Sequence, residues 1–202
     1  MNYQINEISA NKDITIKTLH YSDVNVTGLD LSCLNELELI KFKSYGSSKR
    51  KLEFYFSRVL WLTFNQNQNI TYKTTGKPIV KYGFLSMSHS HQYVVICFSE
   101  RIELGIDIEL ISEKINKVKS KFLHPKDKYK NLIELTQLWT IKEAFYKLFD
   151  GDGIFLMDDV YTEVLHTESN SEVFFDDRSL KAKSHSFFIE KDFIITYCIL
   201  KK

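Results

Sequence analysis

The sequence predicts an α+β fold. Two helix-length amphipathic patterns, about Lys49–Phe64 and Leu132–Phe149, fall one in each half of the chain, and apolar β segments follow each of them. Two of those segments, YVVICF and FIITYCIL, are alike in flavour. Two similar α+β halves would produce that echo, and so would chance. Only two prolines and seven glycines punctuate the 202 residues, and no low-complexity linker divides them. The length suits one large domain or two small ones.

The run LNELELIKF, Leu34–Phe42, reads as a short amphipathic helix. Gly46, Ser47 and Ser48 break it and offer an N-cap to the first long helix, whose stripe is Leu52, Tyr55, Phe56, Val59, Leu60 and Thr63. The polar stretch Asn65–Ser86, with Gly76-Lys77-Pro78, predicts a loop holding a short strand. HQYVVICFS and IELGIDIEL, separated by Glu100-Arg101, read as two strands, with a hairpin as one arrangement. Residues 111–130 are lysine-rich with one apolar helical turn around Phe122. The second long helix buries Leu138, Ile141, Phe145 and Leu148 and meets a glycine C-cap in Asp150-Gly151-Asp152-Gly153. The last third predicts strands near Val160–Leu165 and Glu172–Phe175, then HSFFIE and FIITYCIL around a Lys191-Asp192 turn.

Lys+Arg 27 against Asp+Glu 26 gives a formal charge of +1, which excludes a global field for nucleic acid or an acidic membrane. Anion binding must come from local clusters. Cys33, Cys97 and Cys198 are an odd number at wide spacing and form no disulfide or zinc framework. The start lacks a basic segment followed by an apolar one, and no apolar run approaches the ~20 residues of a membrane span. A cytoplasmic location is expected, with no membrane partner.

Four clusters carry chemistry. In LGIDIEL, Asp107 and Glu109 are two apart on a strand and face the same way, while Ile106 and Ile108 face a core. Paired carboxylates repel unless a cation lies between them, and hard oxygen ligands suit Mg²⁺. Alternation on a half-solvated strand gives the same pattern. In WTIKEAFYKL, Glu143 and Lys147 share a helix face with Trp139. An ordinary i,i+4 pair does so too, and is worth about 0.2–0.5 kcal/mol; the alternative makes Glu143 a third oxygen ligand and Lys147 a phosphate contact. Lys49-Arg50-Lys51 puts three cations at a helix N-terminus, where they oppose the helix dipole unless a phosphate is bound. Arg58, two turns on, extends that surface. Finally, SMSHS, Ser86–Ser90, brings hydroxyls and an imidazole to a strand entrance.

In this order the clusters resemble the surfactin-type 4′-phosphopantetheinyl transferases. The matching segments are KRKLEFYFSR at Lys49–Arg58, GKP at Gly76–Pro78, SMSHS at Ser86–Ser90, GIDIE at Gly105–Glu109 and WTIKEAFYK at Trp139–Lys147. KFLHPKD, Lys121–Asp127, is similar to a further family segment. Each motif alone is weak, whereas five in order are specific. Ser86 stands where the family usually has Asn, His91 where Gly often follows, and Asp127 where Glu is usual.

The resemblance implies a pseudo-dimer of two similar α+β halves, each a small antiparallel sheet packed with helices, with a coenzyme A cleft between them. The halves would be residues 1–103, contacting the adenosine and 3′-phosphate, and residues 104–202, carrying the metal site and catalytic helix. Asp107, Glu109 and Glu143 would hold Mg²⁺ against the coenzyme A diphosphate. Glu143 would also activate the acceptor serine, and Lys147 would steady the leaving phosphate. Arg50, Arg58, Lys77 and Pro78 would lie along the adenosine and 3′-phosphate, with Ser88, His89 and Lys142 on phosphates. The implied activity is that of a holo-[acyl-carrier-protein] synthase type transferase, a sufficient monomer acting on an apo acyl or peptidyl carrier protein. Two other classes fit less well: a coenzyme A or nucleotide-binding protein without transfer, and a nucleic-acid module using the lysine clusters.

Overall fold

The computed structural model describes residues 2–150, 156, 158–162, 170–175 and 180–200. The order is β1 (Tyr3–Asn11), β2 (Ile14–Tyr21), α1 (Glu36–Ser44), α2 (Ser48–Leu62), β3 (Thr71–Tyr72), β4 (Pro78–Ile79), β5 (Phe84–Ser90), β6 (Tyr93–Ser99) and β7 (Leu104–Leu110). Then follow α3 (Leu132–Leu148), β8 (Val160–Thr162), β9 (Asn170–Phe175), β10 (Leu180–Ile189) and β11 (Phe193–Leu200). One sheet runs β1-β2-β6-β5, another β7-β11-β10-β9-β8, and β3 and β4 form a small ribbon. All pairings are antiparallel.

The same path occurs in both sheets. A strand (β2 or β7) is followed by a long helix (α2 or α3), and the last strand of a later hairpin (β6 or β11) returns to pair with that first strand. The two apolar segments that echo in the sequence are these returning strands. Their other faces explain the composition. Ile14, Ile16, Tyr93, Val95 and Cys97 of the first sheet meet Leu104, Ile106, Ile108, Ile195 and Tyr197 of the second in one core. On the far side of the first sheet, α2 buries Phe54, Phe56, Leu60 and Trp61 against Leu19, Val94, Ile96 and Phe98. Strand β6 is thus buried on both faces throughout and reads as an unbroken apolar run. The second sheet takes Ile141, Ala144, Phe145 and Leu148 of α3 against Val173, Ala182 and Cys198.

Several sequence expectations need correction. The strands around Glu100-Arg101 are not a hairpin: β6 pairs with β2 and β5, whereas β7 pairs with β11 in the other sheet. Ser86–Ser90 is not a loop before a strand but lies inside β5. Strands β1 and β2 carry no counterpart in the expectations, although Ile14 and Ile16 alternate as a strand should. Helix α1 starts two residues later than read, at an Asn35 capping box closed by Glu38. Ser47 does cap α2, accepting from Arg50 N. Helix α3 ends at Leu148 with Phe149 as its C-cap, followed by Asp150 in the left-handed region at φ 68°; the expected glycines 151 and 153, and residues 163–165 of the first C-terminal strand, lie outside the described residues.

One glycine sets how closely helix and sheet approach. A Cβ on Gly105 of β7 would run into Ala144 O and Leu148 N of α3. Its absence lets α3 lie on β7, which brings the polar face of α3 beside Asp107.

Candidate functional site

The two sheets meet along β5 and β7, where side chains replace a backbone ladder. Ser86 Oγ accepts from Ile106 N at 3.0 Å, Ser88 Oγ donates to Asp107 Oδ1 at 2.7 Å, and Ser90 Oγ donates to Glu109 Oε2 at 3.1 Å. Serines two apart share one face of a strand, and so do the two carboxylates opposite them. Ser86, at the position of the usual family Asn, has this structural task.

Lys147 reaches this seam from α3. Its Nζ stands 2.7 Å from Asp107 Oδ1, 2.8 Å from Ser88 Oγ and 3.1 Å from Ile106 O, so all three donors are used. Asp107 is 4% exposed, and its Oδ2 is buried with no hydrogen-bond partner among the described residues. Glu109 is held by Ser90 and by Trp139 Nε1, 3.1 Å from Oε1. Burial raises its carboxyl above the usual range, and Asp107 adds to that. Glu143 is pushed up to about 7, first by burial and then by Asp107, with Lys147 opposing and Glu109 reinforcing. The three carboxylates therefore feel one another across the seam.

Asp107, Glu143 and Lys147 line a cavity of about 670 Å³, within the range of small-molecule sites. Its other walls carry Arg50, Glu53, Ser88 and His89, the aromatic rings of Tyr45 and Tyr72, and the β3–β4 turn from Lys73 to Pro78. Lys41 joins them, with its ammonium 3.5 Å from the Tyr72 ring centre. One end is acidic and the other cationic and aromatic.

The 4′-phosphopantetheinyl transferase superfamily model matches residues 103–198. The matched stretch contains Asp107, Glu109, Glu143 and Lys147. The chain is also 34% identical over 101 residues to a 4′-phosphopantetheinyl transferase, gsp, of Aneurinibacillus migulanus. That match covers 45% of this chain and only 42% of the relative's length.

Whether the residues of the matched segment fit a divalent ion is a question of donors. Among the described residues, no group of three His, Cys, Asp or Glu side chains is gathered tightly enough to hold a metal. The chemistry nonetheless fits Mg²⁺, which takes one or two carboxylates and completes its shell with water and phosphate oxygens. Asp107 has a buried, unpartnered oxygen, and Glu143 shares its cavity. Glu109 is tied by Trp139 and Ser90 and does not line the cavity.

Two expected phosphate contacts lie elsewhere. Arg58 is 3% exposed and absent from the cavity lining. Its guanidinium is taken by Glu38 at 2.7 Å, Tyr72 Oη at 2.8 Å and Ser57 Oγ at 2.8 Å, so it braces the aromatic wall from behind. Lys142 is wholly buried on the other side of α3, bonded to Asp127 and to Phe122 O and Leu156 O. Burial lowers its pKa, against the pull of Asp127. Asp127 also accepts from His124 N at Oδ2 and from Thr162 N at Oδ1, which makes it a structural anchor for this side of α3.

Lys77 and Pro78 do line the cavity. Lys77 Nζ donates to Leu148 O at 2.8 Å and pairs with Glu103 at 3.3 Å, a cation at the negative end of α3. Lys73 and Thr75 grip Asp150 at 2.8 and 2.6 Å. Gly76, at φ 90°, makes the tight turn that carries the chain from Thr75 to Lys77. Sequence reasoning missed Glu53, Lys41, Tyr45 and Tyr72. Glu53 had a visible signal, a lone acid four residues after Lys49 and three after Arg50.

Proposed function

We propose that this protein transfers the 4′-phosphopantetheine group of coenzyme A to a serine of an apo acyl or peptidyl carrier protein, releasing 3′,5′-ADP in a Mg²⁺-dependent reaction. The observation that carries the reading is the convergence of Asp107, Glu143 and Lys147 on one cavity whose opposite wall presents Arg50 and His89. The repeated strand–helix–hairpin path supports a pseudo-dimer of halves 1–103 and 104–202, with the cavity as its cleft. A single chain supplies both walls, so a monomer suffices.

Arg50, His89 and the Lys77–Pro78 turn hold the phosphates and nucleoside of coenzyme A along the cationic end, and Ser88 faces the diphosphate from the acidic end. Lys147 is a fixed positive charge, already seated by Ser88 and Asp107, and stabilises negative charge on the departing phosphate without reorganising. The acceptor hydroxyl is a weak nucleophile at neutral pH. Glu143 takes its proton directly or through a water as the oxygen attacks phosphorus. Asp107 and Glu143, with Glu109 behind them, would hold the divalent ion, which when bound neutralises the diphosphate. Trp139 and Ser90 keep Glu109 oriented. Positioning and electrostatics carry such transfers, and no covalent enzyme intermediate is needed.

Among the described residues no helix is long and apolar enough to cross a membrane. The test is to incubate the protein with coenzyme A, Mg²⁺ and a panel of apo carrier proteins and to weigh the carriers by intact-mass spectrometry. Gain of one phosphopantetheine on a carrier supports the reading. Tight coenzyme A binding with no gain on any carrier favours the transfer-incompetent alternative.

A further inference from the structure

The cationic end of the cavity contains a carboxylate where a phosphate site calls only for positive charge. Glu53, on α2, is 3% exposed and lines the cavity. Its Oε2 accepts from Arg50 Nη1 at 3.2 Å, its Oε1 faces His89 Nδ1 at 3.2 Å, and Lys49 Nζ lies 3.8 Å away. Arg50 Nη1 also stands 3.1 Å from His89 Nε2. A guanidinium can only donate. The Arg50 contact is therefore a hydrogen bond only if Nε2 accepts, which puts the ring proton on Nδ1, pointing at Glu53. Arg50, His89 and Glu53 close a loop around a neutral imidazole.

We propose that Glu53 is a positioning residue that enables His89 to take up a proton when a phosphate of the ligand enters the cavity. The inference rests on the coenzyme A reading above. An incoming phosphate competes with His89 Nε2 for Arg50, whose side chain is 54% exposed in the first turn of α2 and able to follow the anion. Nε2 is then left with a lone pair facing negative charge. One proton from solvent on Nε2 converts the ring to a donor at both ends, toward phosphate and toward Glu53. No other bond forms or breaks.

The charged groups facing His89 are Glu53, Arg50 and Lys49 from α2 and Lys147 from α3. Burial first, and then the three cations, hold the free imidazole below its ordinary value, while Glu53 alone pulls the other way. A phosphate brings the second negative charge that tips the balance. Glu53 thus explains why an acid is tolerated here: it is the counter-charge of a histidine that becomes cationic only with ligand bound.

Calorimetric titration of the full chain with coenzyme A at pH 8, in two buffers of different ionisation enthalpy, reads the proton directly; phosphate second ionisations, near pH ~6, are then complete. Wild type takes up protons on binding. Glu53→Gln, nearly isosteric, loses the uptake and binds about tenfold more weakly at pH 7, the equivalent of one pKa unit; His89→Gln loses the uptake as well. Nitrogen-15 NMR of the wild-type His89 ring supplies a readout that needs no variant: Nδ1–H tautomer when free, imidazolium with coenzyme A. Binding without proton uptake, uptake persisting in His89→Gln, or an Nε2–H tautomer in the free protein overturns the inference and leaves the transfer reading standing. Failure of wild type to bind coenzyme A overturns both.

Discussion

Lys147 Nζ lies 2.7 Å from Asp107 Oδ1, an ion pair that joins α3 to β7. The Asp107 side chain is 5% exposed and that of Lys147 27% exposed, so the pair is neither a surface bridge nor fully dehydrated. Ser88 Oγ bonds both partners, giving to Asp107 and accepting from Lys147. The three side chains fix the sheet-to-helix distance at the acidic end of the cavity.

Lys147→Ala leaves Asp107 buried beside Glu109 and Glu143 without its cation. The partial exposure of Lys147 keeps the expected loss of stability near 1–3 kcal/mol rather than the larger cost of a fully buried pair. Transfer should fall by about a hundredfold or more, with KM for coenzyme A less affected than kcat. Equal stability and full turnover in this variant would remove Lys147 from the mechanism.

Glu143 makes the fold sensitive to pH. Its folded value of about 7 lies above the ordinary 4.5, so the native state binds the proton more tightly than the unfolded chain. The contribution is complete below about pH 4.5 and is lost as pH rises through 7. Raised Glu109 adds in the same direction. Metal-free protein should therefore melt at lower temperature at pH 8 than at pH 6. The ceiling for Glu143 is about 3 kcal/mol, from roughly 2.5 pKa units, reduced by its residual exposure. Glu143→Gln should flatten this dependence and abolish transfer. A melting temperature that rises steadily from pH 6 to 8 in the unliganded protein would contradict the assignment.

The acidic end was legible because its signals are periodic. Asp107 and Glu109 alternate with Ile106 and Ile108 on β7, and Glu143 and Lys147 lie one turn apart on α3; both patterns survive folding unchanged. Strand β5 was not, because Ser86-Met87-Ser88-His89-Ser90 has little β preference of its own. It becomes a strand by pairing with β6 and by lending its serines to β7. Arg58 and Lys142 show a second limit. A basic residue in a motif says nothing of its partner, and Glu38 lies 20 residues upstream of Arg58 and Asp127 15 upstream of Lys142. Burial of those pairs is decided by tertiary packing.

Arg58→Ala tests that correction. Arg58 bonds Glu38, Ser57 and Tyr72 behind the cavity wall, so its loss frees the Tyr72 hydroxyl and strands Glu38. A direct contact to the 3′-phosphate would make the variant bind coenzyme A worse and its 3′-dephospho form equally well. The observed geometry predicts the same modest loss for both ligands, with a stability cost of about 2–4 kcal/mol from breaking a buried charge pair. Competition binding with the two ligands separates the cases, and selective loss of coenzyme A would return Arg58 to the phosphate site.

Gly105→Ala asks how tightly β7 and α3 must approach. The added methyl would overlap Ala144 O and Leu148 N, backbone atoms that cannot swing aside as a side chain would. The helix has to shift, at a cost of about 1–3 kcal/mol or more for overpacking a core. The same shift draws Lys147 from Asp107 and moves Leu148 O away from Lys77. Activity should fall further than that of an equally destabilised variant in the separate core beneath α2, such as Leu19→Val on β2, when both are assayed well below their melting temperatures. Equal activity at equal stability would mean that the helix–strand distance is a packing matter only, with no hold on the Lys147–Asp107 pair.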